Sequence, residues 1–278
     1  MLVNLNEVLK YAEENNCAIG SFNTPNFASL KAVLSAAEGK NIPVIIMHAQ
    51  VHEEMGLCQM AEIAPIMKFM AEKSTVPVCM HLDHGTDVDY IEKGLELGFT
   101  SVMYDGSLLS KDENYANTIR VVEMAKKYNA SVEAEIGSMG AREGGGEGDE
   151  SIYTDPDDAK DFSEKTGIDA LACAFGTAHG LYTKEPKLDF ERLAEIKDKV
   201  LVPLVMHGGS GVSTEDYKKV IELGIRKINY YTYMAKAGGT AAANVADKTF
   251  FHDIEVAAIE GMKQDVLSAM TVFAGDKK

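Results

Sequence analysis

The feature that most constrains this 278-residue chain is a rhythm. Short apolar runs recur at AIGSFN (18–23), PVIIMHA (43–49), PVCMHLDH (77–84), SVMYDG (101–106), SVEAEIGS (131–138), ALACAFGTAHG (170–180), PLVMHGGSG (203–211) and KINYYTYM (227–234), eight in all. Between them lie segments with apolar residues at three and four spacing, the period of an amphipathic helix. Strands that are apolar on both faces must be covered on both faces, and helical connections return the chain parallel to itself. Eight such units predict an α/β fold closed into a (β/α)8 barrel, and residues 1–278 match the size at which such a barrel is a single domain. An open doubly wound sheet is the competing architecture, but no GxGxxG follows the first run to support it.

The punctuation agrees. Gly98 and Gly224 fall where helices should stop, and Asp112 or Thr214 where helices should start. MLVNLNEVLKYAEENN carries acids and no continuous apolar core, so it reads as an N-terminal amphipathic helix and not a signal peptide. The tail from Ala235 holds an Ala- and Gly-rich patch and then DIEVAAIEGMKQDVLSAM, a helical extension that would either cap the barrel or pack on a partner. The stretch MGAREGGGEGDESIYTDPDD after the fifth run has the composition of an active-site loop.

Composition removes several function classes. With 27 Lys and Arg against 43 Asp and Glu the net charge is −16, which argues against nucleic acid or an anionic membrane, both of which need clustered cations. No apolar run approaches the roughly 20 residues that span a bilayer. Cys17, Cys58, Cys79 and Cys173 have no CxxC spacing and read as small buried residues of a protein from a reducing cytoplasm.

In a barrel the strand ends open onto one face, where the active site is built. The polar residues of this sequence gather there: Asn23, Asp83 and His84, Asp105, Glu133 and Glu135, His179, His207 and Asn229. His84, His179 and His207, from three runs, are positioned to give neutral imidazole nitrogens to one divalent cation, most naturally zinc; a single such histidine would read as a core residue. His48 is a decoy near a strand end, and His52 and His252 read as surface residues. Asp105 and Glu135 either orient the histidines or ligate an alternative metal position. MHGGSGVST places a glycine-rich turn after the seventh run, opening a helix near Thr214, so that backbone N–H groups and Ser210 suit a phosphate. Thr232 after the eighth run, and Gly180 and Lys184 in HGLYTK, add to that site.

Taken together, HLDHG, VEAEIGSMGAREGG, GTAHGLY and HGGSGV resemble the class II, zinc-dependent ketose-bisphosphate aldolases, the group containing fructose- and tagatose-bisphosphate aldolases. The likeness runs from SFN at the first run to KINYYT at the eighth. It implies zinc on His84, His179 and His207, with Asp105 and Glu135 at an alternative position and a monovalent cation as a second ion. It implies Asp83 as the acid/base at the hydroxyl beside the cleaved bond, Glu143 as the group exchanging the proton at the nucleophilic carbon, and Asn229 with them. Gly180, Lys184, Gly208, Ser210 and Thr232 would hold the phosphate end, with Asn23 near the substrate. The implied reaction splits a ketose 1,6-bisphosphate reversibly into dihydroxyacetone phosphate and an aldehyde phosphate through an enediolate stabilised by zinc. A cytoplasmic homodimer or homotetramer is the implied assembly. A Schiff-base aldolase is disfavoured because no lysine ends a strand and Lys227 lies at the wrong end of the eighth run.

Three features depart from that pattern. Ala49 stands where a serine or threonine is common, Tyr230 and Tyr231 are bulky where small residues are usual, and the tail lacks a motif bringing an arginine to the distal phosphate; Lys248 is a weak substitute. These leave open the C4 configuration and an alternative substrate, a ketose 1-phosphate with a different group at C6. From another class, a metal-dependent sugar-phosphate isomerase or epimerase uses the same parts without releasing a triose phosphate.

Overall fold

The computed structural model describes residues 1–137, 152–182, 186–247 and 250–275. It contains the strands β1 (Leu2–Val3), β2 (Ile19–Asn23), β3 (Val44–Ala49), β4 (Val78–Gly85), β5 (Ser101–Tyr104), β6 (Ser131–Ile136), β7 (Ala170–Cys173), β8 (Leu204–Met206) and β9 (Ile225–Tyr230). The helices are α1 (Leu5–Asn15), α2 (Phe27–Lys40), α3 (Gln50–Glu54), α4 (Met60–Lys73), α5 (Val88–Glu96), α6 (Lys111–Lys126), α7 (Pro156–Thr166), α8 (Phe190–Lys199), α9 (Thr214–Glu222), α10 (Thr232–Ala243) and α11 (Phe251–Phe273).

Strands β2 to β9 pair in parallel in chain order, and β9 returns to β2, closing the barrel. The expected (β/α)8 architecture is thus present, with an N-terminal helix and a C-terminal helical extension. Strand β1 pairs with Val78 and Cys79, below the point where β5 begins opposite His81.

Side-chain alternation divides the core in two. Inward-facing Ile19, Ile45, Met47, Cys79, Met103, Ala170, Ala172 and Val205 form one cluster with Leu5, Val8, Leu9 and Ala12 of α1, which therefore plugs the N-terminal end of the barrel. Outward residues such as Ile46, Met80, Leu82, Val102, Leu171 and Ile228 pack under the surrounding helices. Plugging one end leaves the other to carry the chemistry.

Local chemistry explains the element ends. Helix α1 begins in a capping box in which Asn4 accepts from the Glu7 N–H and Glu7 from the Asn4 N–H, satisfying two otherwise orphaned donors. Gly98 and Gly224 follow α5 and α9 with φ of +95° and +101°, as their stop positions require. Ser110 and Ser213, one residue before the first turn, cap α6 and α9.

The structure differs from the sequence reading at the last three barrel strands. The runs at 170–180 and 203–211 end as strands at Cys173 and Met206, because Gly176 (φ +117°) and Gly208 (φ +61°) turn the backbone out of the extended region. The eighth run begins earlier, at Ile225. The Ala- and Gly-rich patch is the helix α10, and α11 packs on α10, α2 and α9 of its own chain. Its last residue is fixed by the Ala18 N–H donating to the Phe273 carbonyl (3.0 Å) and by edge contacts of the Phe273 ring with Tyr217 and Tyr230. The four cysteines are free thiols. Among the described residues no helix is long and apolar enough to cross a membrane.

Candidate active site at the barrel mouth

The C-terminal ends of the strands surround one cleft, lined by Asn23, Ala49, Asp83, His84, His179 and Gly180 and by Gly208, Ser210, Asn229, Tyr230, Tyr231 and Thr232. Asp105 and Glu135 join the cluster through His84. Most of the candidate site residues are therefore brought together; Glu143 and Lys184, like Lys248, lie outside the described residues.

Strand β4 delivers the first pair. His81 and Asp83 point inward, as their alternation with Met80 and Leu82 dictates, and a register shift then interrupts the pairing of β4 with β5 between Leu82 and Gly85. There His84 adopts φ +48°, a left-handed conformation that only surrounding contacts can hold in a histidine. The contact is Asp105, just beyond β5, whose Oδ2 lies 2.7 Å from His84 Nδ1. Asp105 Oδ1 accepts from the Ser107 N–H (3.1 Å) and hydroxyl (2.6 Å), so the carboxylate is itself fixed.

His207 follows β8 directly and His179 sits six residues beyond β7, on a loop and not on a strand. The Tyr182 hydroxyl ties those two connections together, accepting from the Ala178 N–H (2.8 Å) and donating to the Gly208 carbonyl (2.9 Å). The three imidazoles meet edge to face, with centroids 4.6, 4.9 and 5.9 Å apart, and one nitrogen of each lies within 4.8 Å of the others. Their outer nitrogens are engaged: His84 Nδ1 by Asp105, and His207 Nε2 by Glu133 Oε1 at 2.8 Å. This places His84 Nε2 and His207 Nδ1 opposite each other at 2.8 Å, two nitrogens aimed at one point.

A divalent cation fits this donor set. Carboxylate-oriented imidazoles are the arrangement in which a metal-ligating nitrogen is held as a lone-pair donor. Burial, then His84 and His207, lower the His179 pKa to about 3, so that ring is neutral. Burial works against protonation of His84, but Asp83 and the hydrogen bond that His84 donates to Asp105 overcome it and raise the pKa to about 10. Asp83 and Asp105 thus favour a positive charge at His84, which a proton or a metal ion can supply.

Asp83 is buried, at 4% exposure, and both its oxygens are gripped: Asn23 Nδ2 donates to Oδ2 (3.0 Å) and Asn229 Nδ2 to Oδ1 (3.1 Å). Burial opposes its ionisation, yet His84, His207, Lys227 and His81 together hold the carboxyl well below the usual carboxylate range. Another part of the lining suits an anion. Gly208 cannot carry a side chain, since a Cβ there would meet the Ala178 carbonyl at 2.4 Å, and α10 opens at Thr232 with no side chain capping its first turn, leaving orphan N–H groups at the cleft. The helix at the cleft is thus α10, not the one opening at Thr214. The Gly209 N–H is already donated to the Asn229 carbonyl, and Ser210 Oγ accepts from the Tyr231 N–H.

Three histidines depart from or fit their sequence readings. His52, expected on the surface, is 3% exposed and lies against the Tyr231 ring at 4.9 Å, lining the cleft, because α3 folds inward after β3. His48 points away to the Tyr90 hydroxyl (3.1 Å), and the side chain of His252 is 76% exposed. Lys227 lies early in β9, as the sequence placed it, but its ammonium rises inside the barrel to Glu133 and Asn229 and is fully buried. Lys227 and Tyr182 were not singled out from sequence as parts of the site, and Glu133 was placed at the strand ends without a role; the inward parity of Glu133 with Glu135 and of Lys227 with Asn229 is the signal that connects the two.

A parallel barrel with three converging imidazoles, a gripped carboxylate and glycine-rich turns at its mouth has the layout of a barrel enzyme's active site. Residues 3–278 match the family model described as fructose-bisphosphate aldolase class-II. The chain is 39% identical over 283 residues to a probable fructose-bisphosphate aldolase of Bacillus subtilis, covering all of this chain and 99% of that protein. It is 40% identical over 249 residues to a fructose-bisphosphate aldolase of Staphylococcus aureus, covering 88% and 86%. Among solved structures, the YdjI aldolase of Escherichia coli K12 superposes with a TM-score of 0.89 at 36% identity, covering 98% of this chain and 97% of that one. The chain belongs to the class II fructose-bisphosphate aldolase family, a family of aldehyde-lyases.

Proposed function

We propose that the protein reversibly cleaves a ketose 1,6-bisphosphate into dihydroxyacetone phosphate and an aldehyde phosphate, and that the one barrel carries the whole site. The observation that carries this reading is the adjacency of Asp83, held by two asparagines, to the three-imidazole cluster. His84, His179 and His207 would hold a zinc ion, with Asp105 and Glu135 beside His84 as an alternative seat. Zinc bound there supplies a Lewis acid that stabilises negative charge on the oxygens of the donor half of the substrate.

The chain's own residues do the rest. The amides around Gly180, Gly208 and Ser210 and the N-terminus of α10 at Thr232 hold the phosphate of the dihydroxyacetone half. Asp83 takes the proton of the C4 hydroxyl as the C3–C4 bond breaks, and Asn23 and Asn229 keep its oxygens turned toward that hydroxyl. In the condensation direction Asp83 returns that proton to the same oxygen. Glu143 would exchange the proton at the carbon left behind.

A second reading is favoured at the distal end. Among the described residues lining the cleft there is no lysine or arginine, while Ala49, His52, Tyr230 and Tyr231 contribute apolar and aromatic surface. A ketose 1-phosphate with an uncharged or differently charged C6 group suits that surface. The test is triose phosphate release, in a coupled dehydrogenase assay, from fructose 1,6-bisphosphate, tagatose 1,6-bisphosphate and C6-modified ketose 1-phosphates. Release from a bisphosphate supports the first reading, release from C6-modified substrates alone supports the second, and no release from any would return the isomerase or epimerase alternative.

A further inference from the structure

Inside the barrel, beneath the cleft, the carboxylate that braces His207 is also half of a buried ion pair. Lys227 and Glu133 are both completely buried, with Nζ 2.9 Å from Oε2 and 3.2 Å from Oε1. Burying two charges in a barrel interior is no aid to stability compared with apolar side chains of the same size. The pair therefore asks for another explanation, and its neighbours give one.

The Lys227 ammonium also donates to Asn229 Oδ1 at 2.7 Å, the shortest of its contacts, and Asn229 Nδ2 donates onward to Asp83 Oδ1 at 3.1 Å. An ammonium has three donors and no acceptor. It can face only the oxygen of the Asn229 amide, so the amide nitrogen must face Asp83. In the flipped rotamer the amide nitrogen would meet the ammonium and the amide oxygen would meet a carboxylate, two repulsive contacts in place of two attractive ones. Glu133 in turn is braced by His207 Nε2 (2.8 Å), which keeps the ammonium seated on its side of the barrel.

We propose that Lys227 is a positioning residue for the carbon–carbon cleavage step: through Asn229 it fixes the direction in which Asp83 faces the substrate hydroxyl. The inference rests on the assignment of Asp83 as the acid/base. It separates two half-reactions of the same enzyme. Cleavage needs Asp83, whereas exchange of a carbon-bound proton of dihydroxyacetone phosphate with solvent does not.

Both are measured on metal-loaded enzyme with metal content and melting temperature recorded: triose phosphate release from the best ketose substrate, and solvent-deuterium incorporation into dihydroxyacetone phosphate by proton NMR. Lys227→Met is expected to lower kcat for cleavage on the order of 100-fold, the scale of a misdirected general base, with deuterium incorporation and KM within about threefold of the parent. Because Lys227→Met alone leaves Glu133 without its cation and can prevent folding, Lys227→Met/Glu133→Gln is measured against Glu133→Gln, with the same split expected. Added to Asn229→Ala, Lys227→Met should cost less than about threefold more, since the two act as one unit. Equal loss of cleavage and exchange, unchanged cleavage, or multiplicative effects of Lys227→Met and Asn229→Ala would overturn the inference. If the parent enzyme showed neither activity on any ketose phosphate, the underlying aldolase reading would fall first.

Discussion

The imidazoles of the cluster are held in two different ways, and the supports can be tested apart from the ligands. His179 is carried on a loop and is oriented through the Tyr182 strap, whereas His84 and His207 are each pinned by a carboxylate. His179→Ala and His207→Ala are both expected to abolish tight metal binding and to lower cleavage by at least about a thousandfold, since general acid–base groups cannot replace Lewis-acid stabilisation; elemental analysis of dialysed protein checks the metal. Tyr182→Phe removes only the strap and should retain metal while lowering kcat about tenfold, the effect of a loosened ligand shell. The three histidines were legible in the sequence because each follows an apolar run and precedes a glycine. His52 was not: nothing local marks a histidine in a polar segment as buried, and only the inward turn of α3 against Tyr231 makes it so. Lys227 was misread for a related reason. Its place early in β9 is right, but a lysine side chain is long enough to bring its ammonium to the level of Asn229, two residues up the same inward face.

Helix α1 plugs the barrel, and its contribution can be measured without touching the site. Leu9 is 1% exposed within the inner cluster, so Leu9→Ala should cost about 2–5 kcal/mol in chemical denaturation while leaving the kcat of the folded fraction unchanged. Helix α11 carries a built-in penalty. Asp265, half-buried against Tyr230, has its pKa raised by burial despite the hydrogen bond from the Tyr230 hydroxyl. A carboxyl whose folded pKa exceeds its unfolded one favours the folded state when protonated, and that advantage is lost as pH rises through the folded value. Asp265→Asn should therefore raise the melting temperature at neutral pH, by the equivalent of at most about 1 kcal/mol once solvent screening is allowed for, and the gain should vanish below about pH 4. The amphipathic period made most of the helices readable. It failed for α10, where alanines and glycines carry no periodic signal, and for the strand ends at Cys173 and Met206, where apolar character runs on into loops.

At the scale of the molecule, the barrel was legible because eight apolar runs separated by helical ones have few other ways to cover every face, and β9 does pair back to β2. Family membership and the C-terminal clustering of the polar residues follow from the same order. The distal specificity did not follow, because it depends on how loops from several strands, Ala49 with His52 and Tyr230 with Tyr231, approach one another across the cleft. Within a chain of net charge −16, it is Asp83 and Asp105 beside His84 that favour a positive charge at the mouth. A metal that binds only the folded barrel stabilises it with the logarithm of its concentration above the dissociation constant. The melting temperature should rise with added zinc and fall on chelation, reversibly.

The most direct measurement is a zinc titration of chelated, dialysed enzyme, following triose phosphate release from the best ketose phosphate substrate. Activity should be absent without metal, rise linearly and reach its plateau at one zinc per chain, with His207→Ala unresponsive at any zinc concentration. Full activity in the chelated enzyme, or a response to zinc that survives in His207→Ala, would contradict the assignment of the three-histidine cluster as the reaction centre.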